Sequence, residues 1–408
     1  MRFFLLFCLL MLPACSLIDP AFPAGRGRSG GEWTPREESG TGEPHLWLSA
    51  VEYPEGYDWK RDTARGRVPC RIVMFCDGRR RVEIPVEVGG VSAEPDMHRI
   101  VAGHLYTDHV TDGGETVIGC DGAECFRYPG RETLRGFLVS GGSIHTLGQD
   151  RDGGGLTYRV DGKVHFAREE ALIVGSFGPG PGRSGALYRD GKTLCFAFYT
   201  REEQRQRCWL WRDGEVQEVV AVPVSARLYD IRSVRGQSVV CYGGDTGLTL
   251  SLDGKVKRLP GVKCFRCKIL PDEAEAEWGF SLLSHLASRN GGGEYDALLR
   301  SSGIERVFEG ENASIEYIPL PGGGAMVGLD SAGKVVRIGW MGLTDESEGL
   351  AGRLLMGPHC MYFTDTEAWL ALTGDGGGEQ NGVSAALWHR GELTTVLLSG
   401  YLTGIAYE

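Results

Sequence analysis

The chain has 408 residues, 62 of them glycine, and carries a formal net charge of −11. Glycine at roughly twice ordinary usage, without a G-x-y period, excludes a collagen-like rod; 42% hydrophobic and 9% aromatic residues exclude wholesale disorder. The acidic balance argues against DNA or RNA as a partner, because phosphate binding needs a positive field. The basic runs Arg79-Arg80-Arg81 and Arg201 to Arg207 have acidic neighbours or a strand context and read as solvated faces.

At the N-terminus, Arg2 precedes an apolar run from Phe3 to Leu12. That run is too short to cross a bilayer, which takes about 20 residues, but it suits a signal peptide. Leu12-Pro13-Ala14-Cys15 follows and resembles a bacterial lipobox, which implies lipidation of Cys15 and cleavage before it. Residues 1–14 are therefore expected to be a lipoprotein signal and 15–44 a tether rich in Gly, Pro and Ser. A flexible stretch of this length spans about 30 Å, at roughly 5–6 Å × √n. The lipid is the expected membrane anchor, since no later apolar segment is long enough to span.

From residue 45 onward a strand, a tight turn and a second strand recur. The turns are Asp77-Gly78, Asp121-Gly122, Asp161-Gly162, Asp213-Gly214 and Asp253-Gly254, at steps of 44, 40, 52 and 40 residues. Asp-Gly suits a type I′ hairpin, in which both central residues take positive φ. Weaker copies stand at Ser302-Gly303, Ala332-Gly333 and Arg390-Gly391, the middle one only 30 residues after its predecessor. Asp190-Gly191 falls off the period. A mean step of about 45 residues is that of a four-stranded propeller blade. One unit reads as Arg227 to Val234, Ser238 to Tyr242, Gly247 to Leu252 and Lys255 to Pro260. The expected fold is all-β: one propeller over 45–408, with seven blades within a span of six to eight. Tyr401 to Tyr407 is expected to close the ring beside Leu46 to Val51.

The lipobox, the tether and turns such as Trp211-Arg212-Asp213-Gly214 together resemble the lipoprotein β-propellers of unknown function common in Bacteroidetes. The resemblance covers about residues 45–408 and implies a compartment and a fold. It carries no catalytic residue.

Other motifs lack the context their chemistry needs. Gly180-Pro181-Gly182-Arg183-Ser184-Gly185 matches a dinucleotide fingerprint, but a strand and turn follow it rather than a helix. Gly191-Lys192-Thr193 ends like a phosphate-binding loop yet belongs to a hairpin. The His98, His104 and His109 group is spread by strand alternation and reads as structural. Cys264 and Cys267 have redox spacing but sit in a strand, and Cys120 with Cys125 is a poor second half for a four-cysteine zinc site. No catalytic residue, metal or cofactor is expected. Cys195 and Cys208 are the candidate disulfide, on a hairpin turning near Arg201-Glu202; the remaining cysteines read as small buried apolar residues.

The longest connections join the second and third strands of successive units. They carry Asp150 and Asp152, Glu202, Asp245, Glu294, and then Asp375, Glu379 and Asn381. In a propeller these connections share one rim, and loops on a rigid frame are where binding concentrates. The sequence supports a monomeric, envelope-anchored, non-catalytic propeller that binds a protein or glycan through this rim. The alternatives are a propeller glycoside hydrolase or lyase with paired carboxylates at the channel mouth, and a purely structural envelope component.

Overall fold

A computed structural model describes residues 44–407, apart from 58–66, 90–96, 112–113, 131, 151–153, 175–185, 245–246, 260–261, 272–276, 289–292, 310–313, 321–322, 330–334, 339–343, 346–352, 356–359, 364–367, 376–382 and 390–391. The expected signal peptide, the lipidation site Cys15 and the tether lie outside the described residues.

The fold is an all-β propeller. The described residues form eight antiparallel sheets of four or five strands. In chain order they span 46–89, 97–129, 132–168, 171–223, 227–259, 262–309, 314–345 and 353–397. Within each sheet the strands run a, b, c, d by simple antiparallel neighbours. The first sheet alone is composite: its strand a is the last strand of the chain, Gly400–Tyr407, paired along Leu46–Glu52. The ring is thereby closed between the two ends of the described chain, which covers what would be an open sheet edge.

Neighbouring sheets bury apolar faces against each other. Tyr229, Leu250 and Cys241 of the fifth sheet pack on Cys267, Phe280 and Leu286 of the sixth. Leu48 and Phe75 of the first pack on Trp369 and Ala371 of the eighth, and Ile72 and Met74 on Leu105 of the second. Strands d face water instead: Lys255–Leu259 is exposed along almost its whole length. The period-2 alternation in strands such as Glu132–Ser140 follows from one face being buried and the other not.

The Asp-Gly turns do more than reverse the chain. All five pair an Asp at φ +42 to +51° with a Gly at φ +75 to +100°, the geometry of a type I′ turn. Each Asp also ties strand c to the start of strand b. Asp77 Oδ1 accepts from Leu46 N at 2.9 Å, Asp121 from Leu105 N and Asp161 from Ile144 N at 2.8 Å. Asp213 accepts from Leu194 N at 2.9 Å and Asp253 from Ser238 N at 2.8 Å. In all five, the Asp backbone N–H returns a bond to the carbonyl of that same residue. A recurrent side-chain clasp, rather than turn propensity alone, accounts for the recurrence of aspartate.

The off-period Asp190-Gly191 turn joins strands a and b of the fourth sheet, with Asp190 opposite Thr193. Its carboxylate reaches the next sheet, accepting from Ser233 Oγ at 2.6 Å, Arg235 N at 2.7 Å and Gly236 N at 2.8 Å. The hairpin expected at Ser302-Gly303 turns one residue earlier, since Arg300 pairs with Gly303. Ala332-Gly333 falls between strands b and c of the seventh sheet (323–329 and 335–338), outside the described residues. The c–d connection of that sheet lies at 339–343, back on the period. The 30-residue step to this marker is what holds the expected number at seven blades, although eight turns stand on the period; the described residues form eight sheets.

Candidate functional site

Strand order puts the a–b and c–d turns at one end of each sheet and the b–c and d–a connections at the other. All five polar loops anticipated from the sequence are b–c connections, so they leave from the same end. Asp150 is the last residue of its strand, half-buried, and its N–H donates to Gly155 O at 2.9 Å. Glu202 sits in the turn before Arg205 and pairs with Arg207 Nε at 2.6 Å; Arg207 also holds Glu218 at 2.9 Å. Glu294 opens strand c of the sixth sheet. Asp375 ends strand b of the eighth sheet, opposite Val383. Asp152, Asp245, Glu379 and Asn381 lie outside the described residues.

Glu294 belongs to a cluster on the sixth sheet. Arg266, His285 and Asp296 stand directly across strands a, b and c from one another. His285 Nδ1 lies 3.0 Å from Asp296 Oδ1, and its Nε2 lies 3.0 Å from Glu294 Oε2. Arg266 Nη2 donates to the same Asp296 oxygen at 3.1 Å. Asp296 is only 1% exposed, and its second oxygen, Oδ2, is buried with no hydrogen-bond partner among the described residues. The bond to Asp296 raises the His285 pKa; burial opposes it and Glu294 adds to it. An imidazole with a carboxylate on each nitrogen is a double donor, charged to higher pH than a free histidine. The cluster sets a cation between two carboxylates close to the loop end, a setting suited to hydroxyl or acidic ligand groups.

Loop composition alone pointed to Glu294 and missed its three partners. The missed signal was a row of polar residues at one register across strands that are otherwise apolar: Arg266, His285 in Phe280–Ser288, and Asp296 in Glu294–Arg300.

Two further carboxylates tie sheets together. Glu132 opens strand a of the third sheet and holds Arg159 in two bonds of 2.6 and 2.8 Å, both residues being less than 9% exposed. The guanidinium lies 3.9 Å over the Tyr128 ring of the second sheet. Asp230 is half-buried; its oxygens accept from Ile231 N at 2.9 Å and from Ile269 N, in the next sheet, at 2.7 Å. Burial pushes its pKa up to about 6.

The expected disulfide is overturned. Cys195 stands opposite Arg212 and Cys208 opposite Tyr199, four positions apart along the ladder, and both thiols are free. The hairpin reverses between Arg201 and Gln206, about two residues later than the reading required. Cys264 and Cys267 lie in strand a of the sixth sheet, and Cys267 is hydrogen-bonded to the buried Cys241.

At the opposite, c–d end, two successive sheets repeat a His–Cys–Asp arrangement. His45, Cys76 and Asp77 bring one ligand atom each to within 4.8 Å of one another, and so do His104, Cys120 and Asp121. In both, the imidazole Nδ1 is 2.6 Å from the turn aspartate. Cys125 joins the second group: it packs with Cys120 and Tyr106, and its thiol bonds the Cys120 sulfur, holding the Cys120 thiol below its ordinary range.

No family model and no curated protein matches the sequence. Among solved structures the chain is similar to a prolyl endopeptidase, at 10% identity and a TM-score of 0.44 over 76% of this chain, and it spans half of that protein. The β-propeller domain of the Trilobed protease from Pyrococcus furiosus gives 9% identity and a TM-score of 0.43, covering 87% of this chain and 96% of that one. An oligogalacturonate lyase in complex with manganese gives 10% identity and a TM-score of 0.42, covering 86% and 90%. At such identities a likeness speaks to fold alone, and the eight sheets with their ring closure define this chain as a β-propeller on their own account.

Proposed function

We propose that this chain is an envelope lipoprotein whose propeller binds a glycan or protein partner through its b–c end. The observation that carries the reading is the contrast between the two ends. Among the described residues, the c–d connections of the first six sheets are two-residue turns, five of them clasped by aspartate, whereas every long polar connection foreseen in the sequence leaves at the b–c end. The Arg266–His285–Asp296–Glu294 row lies there as well, and carboxylates beside imidazolium and guanidinium groups suit polyhydroxyl and acidic sugars. Lipid anchoring at Cys15 follows from the signal-like N-terminus.

Binding is tested with the full chain on an array of neutral and uronate-containing oligosaccharides. Ligands are expected to be retained by the parent and weakened at least tenfold by Glu294→Gln and His285→Ala. Equal retention by parent and variants would place binding elsewhere. Metabolic labelling with a lipid precursor tests the anchor: label should vanish in Cys15→Ala, and label that persists overturns it.

One observation favours a second reading. Glu294 lies 3.0 Å from the His285 imidazolium, with Arg266 on the same row; a carboxylate to remove a proton next to a substrate carboxylate and cations to steady the resulting charge are the parts a lyase needs. Release of unsaturated uronates by the parent chain, lost in His285→Ala, would replace binding with catalysis.

A further inference from the structure

The c–d end of the second sheet holds a donor set that the carbohydrate-facing end does not use. We propose that His104, Cys120, Asp121 and Cys125 form a binding site for one thiophilic divalent cation of the Zn²⁺ class. Two thiols, an imidazole and a carboxylate are four donors of the kinds zinc takes in tetrahedral sites, and the sulfur ligands select against Ca²⁺ and Mg²⁺.

The geometry is assembled by the hairpin. Ligand atoms of His104, Cys120 and Asp121 already lie within 4.8 Å of one another. Ligands on one tetrahedral ion at about 2.0–2.3 Å stand roughly 3–4 Å apart, so these three donors need only a small contraction, while Cys125, bonded to the Cys120 sulfur but outside that trio, has to turn toward them. Asp121 is fixed at φ +51° with its Oδ1 on Leu105 N, and Cys120 is buried against Tyr106 and Ile118. Cys125 reaches the group because the ladder slips at this point: Ile118 pairs with Phe126 but Gly119 pairs with Glu124, which leaves Cys125 as the extra residue. The His104 and Asp121 side chains are about one-third exposed, which gives an ion a way in.

The first sheet is an internal control. It has the same slip in the same place, since Met74 pairs with Val82 and Phe75 with Arg80, and its extra residue is Arg81. His45, Cys76 and Asp77 repeat His104, Cys120 and Asp121, including the 2.6 Å His–Asp bond. The His–Asp pair is thus part of the turn clasp in both sheets. What sets the second sheet apart is a thiol where the first has a cation. Binding releases the two thiol protons to solvent, the proton between His104 Nδ1 and Asp121 passes to Nε2 so that the imidazole binds in its neutral form, and nothing is oxidised.

The test is a Co²⁺ titration of the full chain, purified reduced and metal-free. One equivalent is expected to give thiolate-to-cobalt charge-transfer bands and the intense visible bands of tetrahedral cobalt, both erased by Zn²⁺. Cys125→Arg, which installs the residue of the first sheet, should abolish the bands; Cys76→Ser should leave them unchanged. If Cys125→Arg fails to fold, Cys125→Ala reads the same loss. The proposal is overturned if the bands are missing while both thiols remain titratable. Bands that survive in Cys125→Ala, or a second ion lost in Cys76→Ser, would also overturn it. A Cys120–Cys125 disulfide that resists reductant would do the same, because both ligands would then be consumed.

Discussion

Gly148→Ala is expected to be among the most damaging single-methyl additions in this protein. Gly148 lies in strand b of the third sheet, opposite Leu134 and Thr157. Its backbone is ordinary extended strand, so alanine meets no conformational strain there. The conflict is purely spatial: a Cβ would stand 1.8 Å from Glu132 Oε2 and 2.8 Å from its Cδ. An exposed carboxylate would swing away, but this one is buried and holds Arg159 through both oxygens. Moving it leaves a buried guanidinium unpaired, and breaking such a pair costs about 3–5 kcal/mol. The assay is equilibrium urea unfolding of the parent, Gly148→Ala, Glu132→Ala and the double variant. Each single change should lower stability by about that amount, and the double variant should fall little below Glu132→Ala, since the methyl then enters vacated space. A loss under about 1 kcal/mol for Gly148→Ala, or simple additivity in the double variant, would refute the reasoning.

Further outcomes follow from Asp230, a turn aspartate and the two thiols. Asp230 has a folded pKa raised from 3.8 to about 6, so its contribution is fully present below pH 4 and is lost as pH rises through 6. By linkage that amounts to ~3 kcal/mol, and the stability difference between parent and Asp230→Asn, followed by urea unfolding from pH 4 to pH 7, should change by about that much; a flat difference would show that Asp230 is not held protonated. Asp161→Gly keeps the positive φ and loses only the bond to Ile144 N, costing about 1 kcal/mol, whereas Asp161→Ala adds left-handed strain and should cost about 2–3 kcal/mol in the same assay. Cys195 and Cys208, whose thiols burial pushes up to about 11 and about 12, should resist alkylation in the folded protein and both be modified once it is unfolded without reductant. A Cys195–Cys208 cross-link in non-reducing mass spectrometry would contradict the observed register.

Much of the fold was legible because its signals are local. Asp77-Gly78 and its four successors announce themselves through the conformational demand of a two-residue turn, and the strands of 227–259 were placed to within two or three residues by β-branched runs between glycines. Ring closure was legible too, from strands at 46 and 401 that had no neighbour of their own. The failures came where identity depends on a partner far away in sequence. Ala332-Gly333 has the composition of a c–d turn, but which pair of strands it joins is decided by their partners. Cys195 and Cys208 were mispaired because a shift of two residues in the turn moves the facing positions by four. The same limit hid the candidate site. Arg266, His285 and Asp296 are separated by 19 and 11 residues and become one row only when three strands take register. The Cys125 approach to Cys120 depends on a slip in the ladder that no residue type advertises.

The closure of the first sheet has a mechanical meaning. The segment leading to residue 46 runs directly into strand b, which is flanked along its length by 67–76 on one side and 400–407 on the other. A pull from the membrane through the proposed Cys15 anchor would load both ladders in shear, parallel to the strands, so that the bonds on both sides resist together. An edge strand at the same position would resist through one ladder alone. The C-terminal strand then shares the pull as well as completing the ring, and a chain lacking it would yield at a lower force at its point of attachment.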